Sequence, residues 1–91
     1  MNAIRRKKLA ALIDAIEDIK SQLEDQQSTL EELNDEEQEY FDNIPENLQS
    51  SERYERAETS SSALNEAYEA LCDLLDQFES VTSSIEEAID A

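Results

Sequence analysis

Apolar residues recur in steps of three and four along the first part of the chain: Leu9, Leu12, Ile16, Ile19, Leu23, Leu30, Leu33 and Tyr40. Gln26 and Glu37 fill the two gaps. This is the spacing of a helix with one apolar seam, written as heptads. The positions facing away carry Asp14, Glu17, Asp18, Glu24, Asp25, Glu31 and Glu32. A second seam runs Tyr54, Ala57, Ser61, Leu64, Tyr68, Leu71, Leu75, Phe78, Thr82, Ile85 and Ile89. Neither run contains Gly or Pro, so nothing interrupts either period. The pattern predicts helices over about residues 3–41 and 51–89.

The stretch between them holds the only proline, Pro45. Asp42 and Asn43 suit a helix end, because their side chains bond local backbone groups. Ile44 precedes the proline and is pushed away from helical geometry. Pro45 to Leu48 suits a short helical turn, and Ile44 with Leu48 is expected to close the end of the hairpin as a lid. Ser50 or Ser51 is the expected N-cap of the second helix, with Glu52 placed well for its dipole. The turn is therefore about residues 42–50.

Laid antiparallel, the two seams match in one register along their whole length. It sets Tyr40 opposite Tyr54, Leu30 opposite Leu64, Leu23 opposite Leu71, Ile19 opposite Leu75, Ile16 opposite Phe78 and Leu9 opposite Ile85. Gln26 then meets Tyr68 and Leu12 meets Thr82. The expected fold is all-α: a long antiparallel helical hairpin, a two-helix coiled coil, forming a single domain over residues 1–91. Ala67, Leu74, Val81 and Ala88 widen the second stripe beyond what one partner helix covers, and Ile13 does so on the first. Self-association through Leu74 and Val81 follows, most simply as a homodimer forming a four-helix bundle.

Composition narrows the chemistry. The chain has 91 residues, with no Gly, Trp or His. Without His, Ser/His and Cys/His catalytic pairs are excluded, and without Gly so is a glycine-rich phosphate loop. Cys72 is the one cysteine. It lies beside the seam, reads as a half-buried small hydrophobe and fits a reducing cytoplasm. No signal-peptide pattern and no apolar run of membrane-spanning length are present, so a cytoplasmic, membrane-free protein is expected.

Net charge is −17, from 24 acids and 7 bases. Four bases stand together as Arg5, Arg6, Lys7 and Lys8; all 24 acids face only Lys20, Arg53 and Arg56 elsewhere. Such a surface repels nucleic acid and anionic membrane and attracts a basic partner. The basic run is expected to lie beside Glu86, Glu87 and Asp90 as a charge clamp. The candidate partner-binding acids are Glu31, Glu32, Asp35, Glu36, Glu39 and Asp42 on the first helix. On the second they are Glu66, Glu69, Asp73, Asp76 and Glu79. Glu32, Asp35, Glu36 and Glu39 share a helix face, and hard cations prefer oxygen ligands. The second acid half that helical nucleotide pyrophosphatases use is absent, so no metal, no cofactor and no enzymatic activity are assigned.

The turn and its flanks, DEEQEYFDN running into IPENLQSSERYE, resemble short acidic proteins of phages and prophages of Gram-positive bacteria. These share a motif of the form N-x-P-E-x-L-Q-x-S-E-R, carried here by Asn43, Pro45, Glu46, Leu48, Gln49, Ser51, Glu52 and Arg53. Tyr54 departs from the pattern, where many relatives have Gly. The resemblance implies a phage setting and a helical hairpin, and no activity. With the acidity, it suggests an inhibitor of a basic host DNA-binding or defence protein that imitates DNA by its charge. The alternative is a scaffolding coiled-coil module that binds through the apolar stripe. Turn chemistry predicts Arg53 paired to Glu46 or Glu52 and Asn43 as a helix cap; the functional alternative is a recognition tip.

Overall fold

The computed structural model describes residues 1–91. Helix α1 covers Ala3–Asp42 and helix α2 covers Glu52–Asp90, with a single 3-10 turn at Glu46–Leu48 between them and no strand. The fold is thus the all-α helical hairpin that the two periodic runs predict. No helix is long and apolar enough to cross a membrane. The chain divides into two compact units, an open-end unit of Met1–Asp25 with Cys72–Ala91 and a turn unit of Gln26–Leu71.

In the turn unit, α1 ends one residue beyond expectation, with the Asn43 N–H still bonded to Glu39 O at 3.0 Å. Pro45 then holds extended backbone, φ −60° and ψ 146°, which breaks the helix. The Leu48 N–H bonds Pro45 O at 2.9 Å and the Gln49 N–H bonds Glu46 O at 3.2 Å, closing the short turn. Ser51 caps α2: its Oγ accepts from the Tyr54 N–H at 3.2 Å and donates to Leu48 O. Ser51→Ala is expected to cost about 0.5–2 kcal/mol, read as a lower melting temperature by circular dichroism. Ile44 is buried as expected of a lid, but Leu48 is exposed. The 3-10 turn sets Leu48 on the outer side of the loop, so Ile44 alone closes the end.

The seam of α2 is the predicted one: Tyr54, Ala57, Ser61, Leu64, Tyr68 and Leu71 are buried or half-buried in the turn unit. Leu75, Phe78, Thr82, Ile85 and Ile89 are so in the open-end unit. The seam of α1 is half as predicted. Leu9, Ile16, Leu23, Leu30 and Glu37 are half-buried, but the companion row is Ile13, Lys20, Gln27, Asn34 and Phe41. The expected row of Leu12, Ile19, Gln26, Leu33 and Tyr40 is exposed throughout. Leu12 is 47% exposed and its neighbour Ile13 7%. Helix α1 therefore keeps its Leu9 row inward but is turned by about 50°, half of the roughly 100° per residue, from the face its apolar residues suggest.

Polar pairing in the turn unit accounts for this turn. Asn34 Nδ2 donates to Asn65 Oδ1 at 2.7 Å, and Ser61 Oγ donates to Gln38 Oε1 at 2.7 Å. Ser61 is buried and needs such a partner; the expected register would set it against Leu33. Gln38, five residues further along α1, meets it instead. Phe41, not Tyr40, stacks on Tyr54, with ring centroids 4.9 Å apart and planes at 31°. Gln27 replaces Gln26 in the seam. In the open-end unit, Thr82 meets its own helix and not Leu12, its hydroxyl donating to Phe78 O at 3.2 Å.

The basic run makes a different contact from the clamp expected of it. Arg6 reaches the Ala91 carbonyl oxygen at 3.3 Å, and no ion pair joins residues 5–8 to Glu86, Glu87 or Asp90. Asn2 caps α1, its Oδ1 accepting from the Arg5 N–H at 2.8 Å.

Candidate functional site

Written as heptads from Leu9 on α1 and Ala57 on α2, both helices place their residue types alike. The inward positions form the seam. Every helical acid except Glu36 and Glu37 falls on three outward rows. One further row contains no acid on either helix. On α1 it is Leu12, Ile19, Gln26, Leu33 and Tyr40; on α2 it is Arg53, Ser60, Ala67, Leu74, Val81 and Ala88. In an antiparallel pair, equivalent rows of the two helices fall on the same side of the seam. Each unit therefore has one acid-free face, with Arg5 on its row in the open-end unit and Arg53 in the turn unit, and an acidic remainder.

In the open-end unit this face is apolar. Leu12, Ile19, Leu74 and Val81 are all among the exposed large hydrophobic side chains. Ile16, Leu74, Gln77, Phe78 and Val81 line a shallow groove of about 240 Å³ between the helices. Leu12 and Ile19 flank Ile16 at helical spacing, four before and three after, and so border the groove. Leu74 and Val81 are thus exposed, and so are Leu12 and Ile19 of α1, which the apolar pattern sets in the core.

In the turn unit the same side is polar. Arg53 donates from Nε to the Tyr40 hydroxyl at 2.5 Å, and its guanidinium carbon stands 5.3 Å from the Tyr40 ring centroid. Arg53 thus pairs with neither Glu46 nor Glu52. Glu52 is taken by Arg56 at 2.6 Å, one helical turn on. Tyr40, Arg53 and Arg56 join Glu37, Glu52, Ala57 and Ser60 around a cavity of about 380 Å³. The motif residues Asn43, Pro45, Glu46 and Gln49 use backbone groups to build the turn, and Glu46 and Gln49 are exposed.

Among the predicted partner-binding acids, Glu31, Glu32, Asp35, Glu36, Glu39, Asp42, Glu66 and Glu69 are exposed in the turn unit. Asp73, Asp76 and Glu79 are exposed in the open-end unit. They spread over the outward rows and do not converge. No three His, Cys, Asp or Glu side chains are placed to hold a metal ion. Cys72 is half-buried on the side of the α2 seam away from Leu74 and Val81.

Magnitudes separate the two kinds of surface. Exposed acids satisfy themselves with water at little cost. An exposed Leu or Ile forgoes part of the roughly 1.5–3 kcal/mol that burial of such a side chain supplies. The seam meanwhile holds Lys20, Gln27 and Asn34, and a side-chain hydrogen bond contributes only about 0.5–1.5 kcal/mol net. An uncovered apolar row beside a partly polar seam is the feature that sets this face apart from the acidic remainder. No protein-family model matches the chain, and no curated protein or solved structure matches it.

Proposed function

We propose that this protein is a non-enzymatic interaction module that binds another protein surface through its acid-free face. The carrying observation is the exposed row of Leu12 and Ile19 beside Leu74 and Val81, in a chain of net charge −17 whose acids avoid that row. The acids keep the face from non-specific association by surrounding it with like charge. A phage setting, taken from the resemblance of the turn motif, suits a small scaffolding or assembly module. Substitution of Leu74 or Val81 by Glu is expected to abolish partner binding in a co-purification assay, with neutralisation of Asp73 and Asp76 silent. Binding that survives Leu74→Glu contradicts the reading.

A second reading rests on a separate observation: every acid except Glu37 is exposed. Under it, the outward acid rows imitate DNA phosphates and inhibit a basic host protein. Such binding is salt-dependent, because exposed charges more than about 8 Å apart are screened at physiological ionic strength. Reversing Glu66, Glu69 and Asp73 to Lys is then expected to weaken binding at low salt at least tenfold by titration. An affinity unmoved by both salt and charge reversal removes this reading.

A further inference from the structure

The acid-free face of the open-end unit leaves its partner open, and charge, exposed apolar surface and shape narrow the choice. We propose that it seats a second copy of this chain. The inference rests on the reading of that face as the binding surface. Two copies of a molecule carrying −17 repel wherever their outward acid rows meet. The rows of Leu12 and Ile19 and of Leu74, Val81 and Ala88 are where acids are missing. The flanking positions, Ala15 and Gln22 on α1 and Gln77 and Ser84 on α2, are uncharged as well. A copy can therefore approach there without opposing carboxylates. A basic partner gains nothing from this face and is drawn to the acids elsewhere.

The exposed apolar surface points the same way: Leu12, Ile19, Leu74 and Val81 are each about half exposed and lie together on this face. The shape is self-complementary too. Each copy presents a ridge, Leu12 and Ile19, beside a groove lined by Ile16, Leu74, Phe78 and Val81. A two-fold axis sets each ridge in the groove of the other copy, the isologous arrangement of closed dimers.

Sedimentation equilibrium under reducing conditions, so that Cys72 cannot link chains, tests this with the wild type, Leu74→Glu and Val81→Glu. The proposal expects the wild type at twice 10.4 kDa at micromolar concentration. Both variants are expected at the monomer mass, with helical circular dichroism retained because both sites are exposed. A monomeric wild type that binds an apolar dye, with binding lost in Leu74→Glu, overturns the second copy and leaves the face reading standing. A dimer that persists in both variants overturns both.

Discussion

Leu75→Ala is expected to be among the most damaging single substitutions in this protein, lowering stability by about 2–5 kcal/mol. Leu75 is 7% exposed, and with Ile13, Ile44 and Ala57 it makes up the buried apolar core. No side chain in the chain is fully buried, so the core has little reserve. Removing three carbons there leaves a cavity that two continuous helices cannot collapse around. In a chain of this length each kcal/mol moves the melting temperature by about 4–8 °C, so a fall of at least about 10 °C is expected by thermal circular dichroism. Leu74→Ala, one position away but 45% exposed, is the control. It is expected to leave the melt at high dilution nearly unchanged and to reduce its dependence on protein concentration. Equal losses from the two substitutions would contradict the assignment of inner and outer rows.

Asn34→Leu is expected to act in the opposite direction. Asn34 donates to Asn65, but its own Oδ1 is buried without a hydrogen-bond partner. A buried unsatisfied acceptor costs about 1–3 kcal/mol. Leucine removes that cost and adds apolar burial, while Asn65 is exposed and turns to water. A gain of about 1–2 kcal/mol, or roughly 5–10 °C in melting temperature, is expected. Asparagine at such a seam position serves register more than stability, as in coiled coils that accept one polar layer. A lower melting temperature for Asn34→Leu would show that the Asn34–Asn65 bond outweighs the orphan oxygen.

Much of the fold is legible in the residues. Periodicity marks both helices to within a residue or so, Pro45 marks the break, and Ser51 is readable as a cap. The α2 seam is legible throughout because its strongest apolar period is also its buried one. On α1 the two differ. Leu12, Ile19 and Leu33 outrank Lys20, Gln27 and Asn34 in hydrophobicity, so counting apolar residues selects the wrong companion row. The available signal is polar matching: Ser61 on α2 is buried and needs a partner, and Gln38 supplies it once the row of Ile13 and Asn34 faces inward. Leu74 and Val81 were readable as surface residues because they lay outside a complete seam. Their α1 counterparts were hidden by a seam that looked complete without them.

Helix α1 turns Ile13 inward and leaves Leu12 exposed. Thiol labelling of Leu12→Cys and Ile13→Cys, each in a Cys72→Ser background at high dilution, tests it most directly. The account predicts fast modification at position 12, near the rate in denaturant, and modification at position 13 slower by at least about tenfold, as opening of a packed seam requires. Fast modification at position 13 with protection at position 12 would restore the seam that the apolar pattern suggests and remove the face on which the proposed function rests.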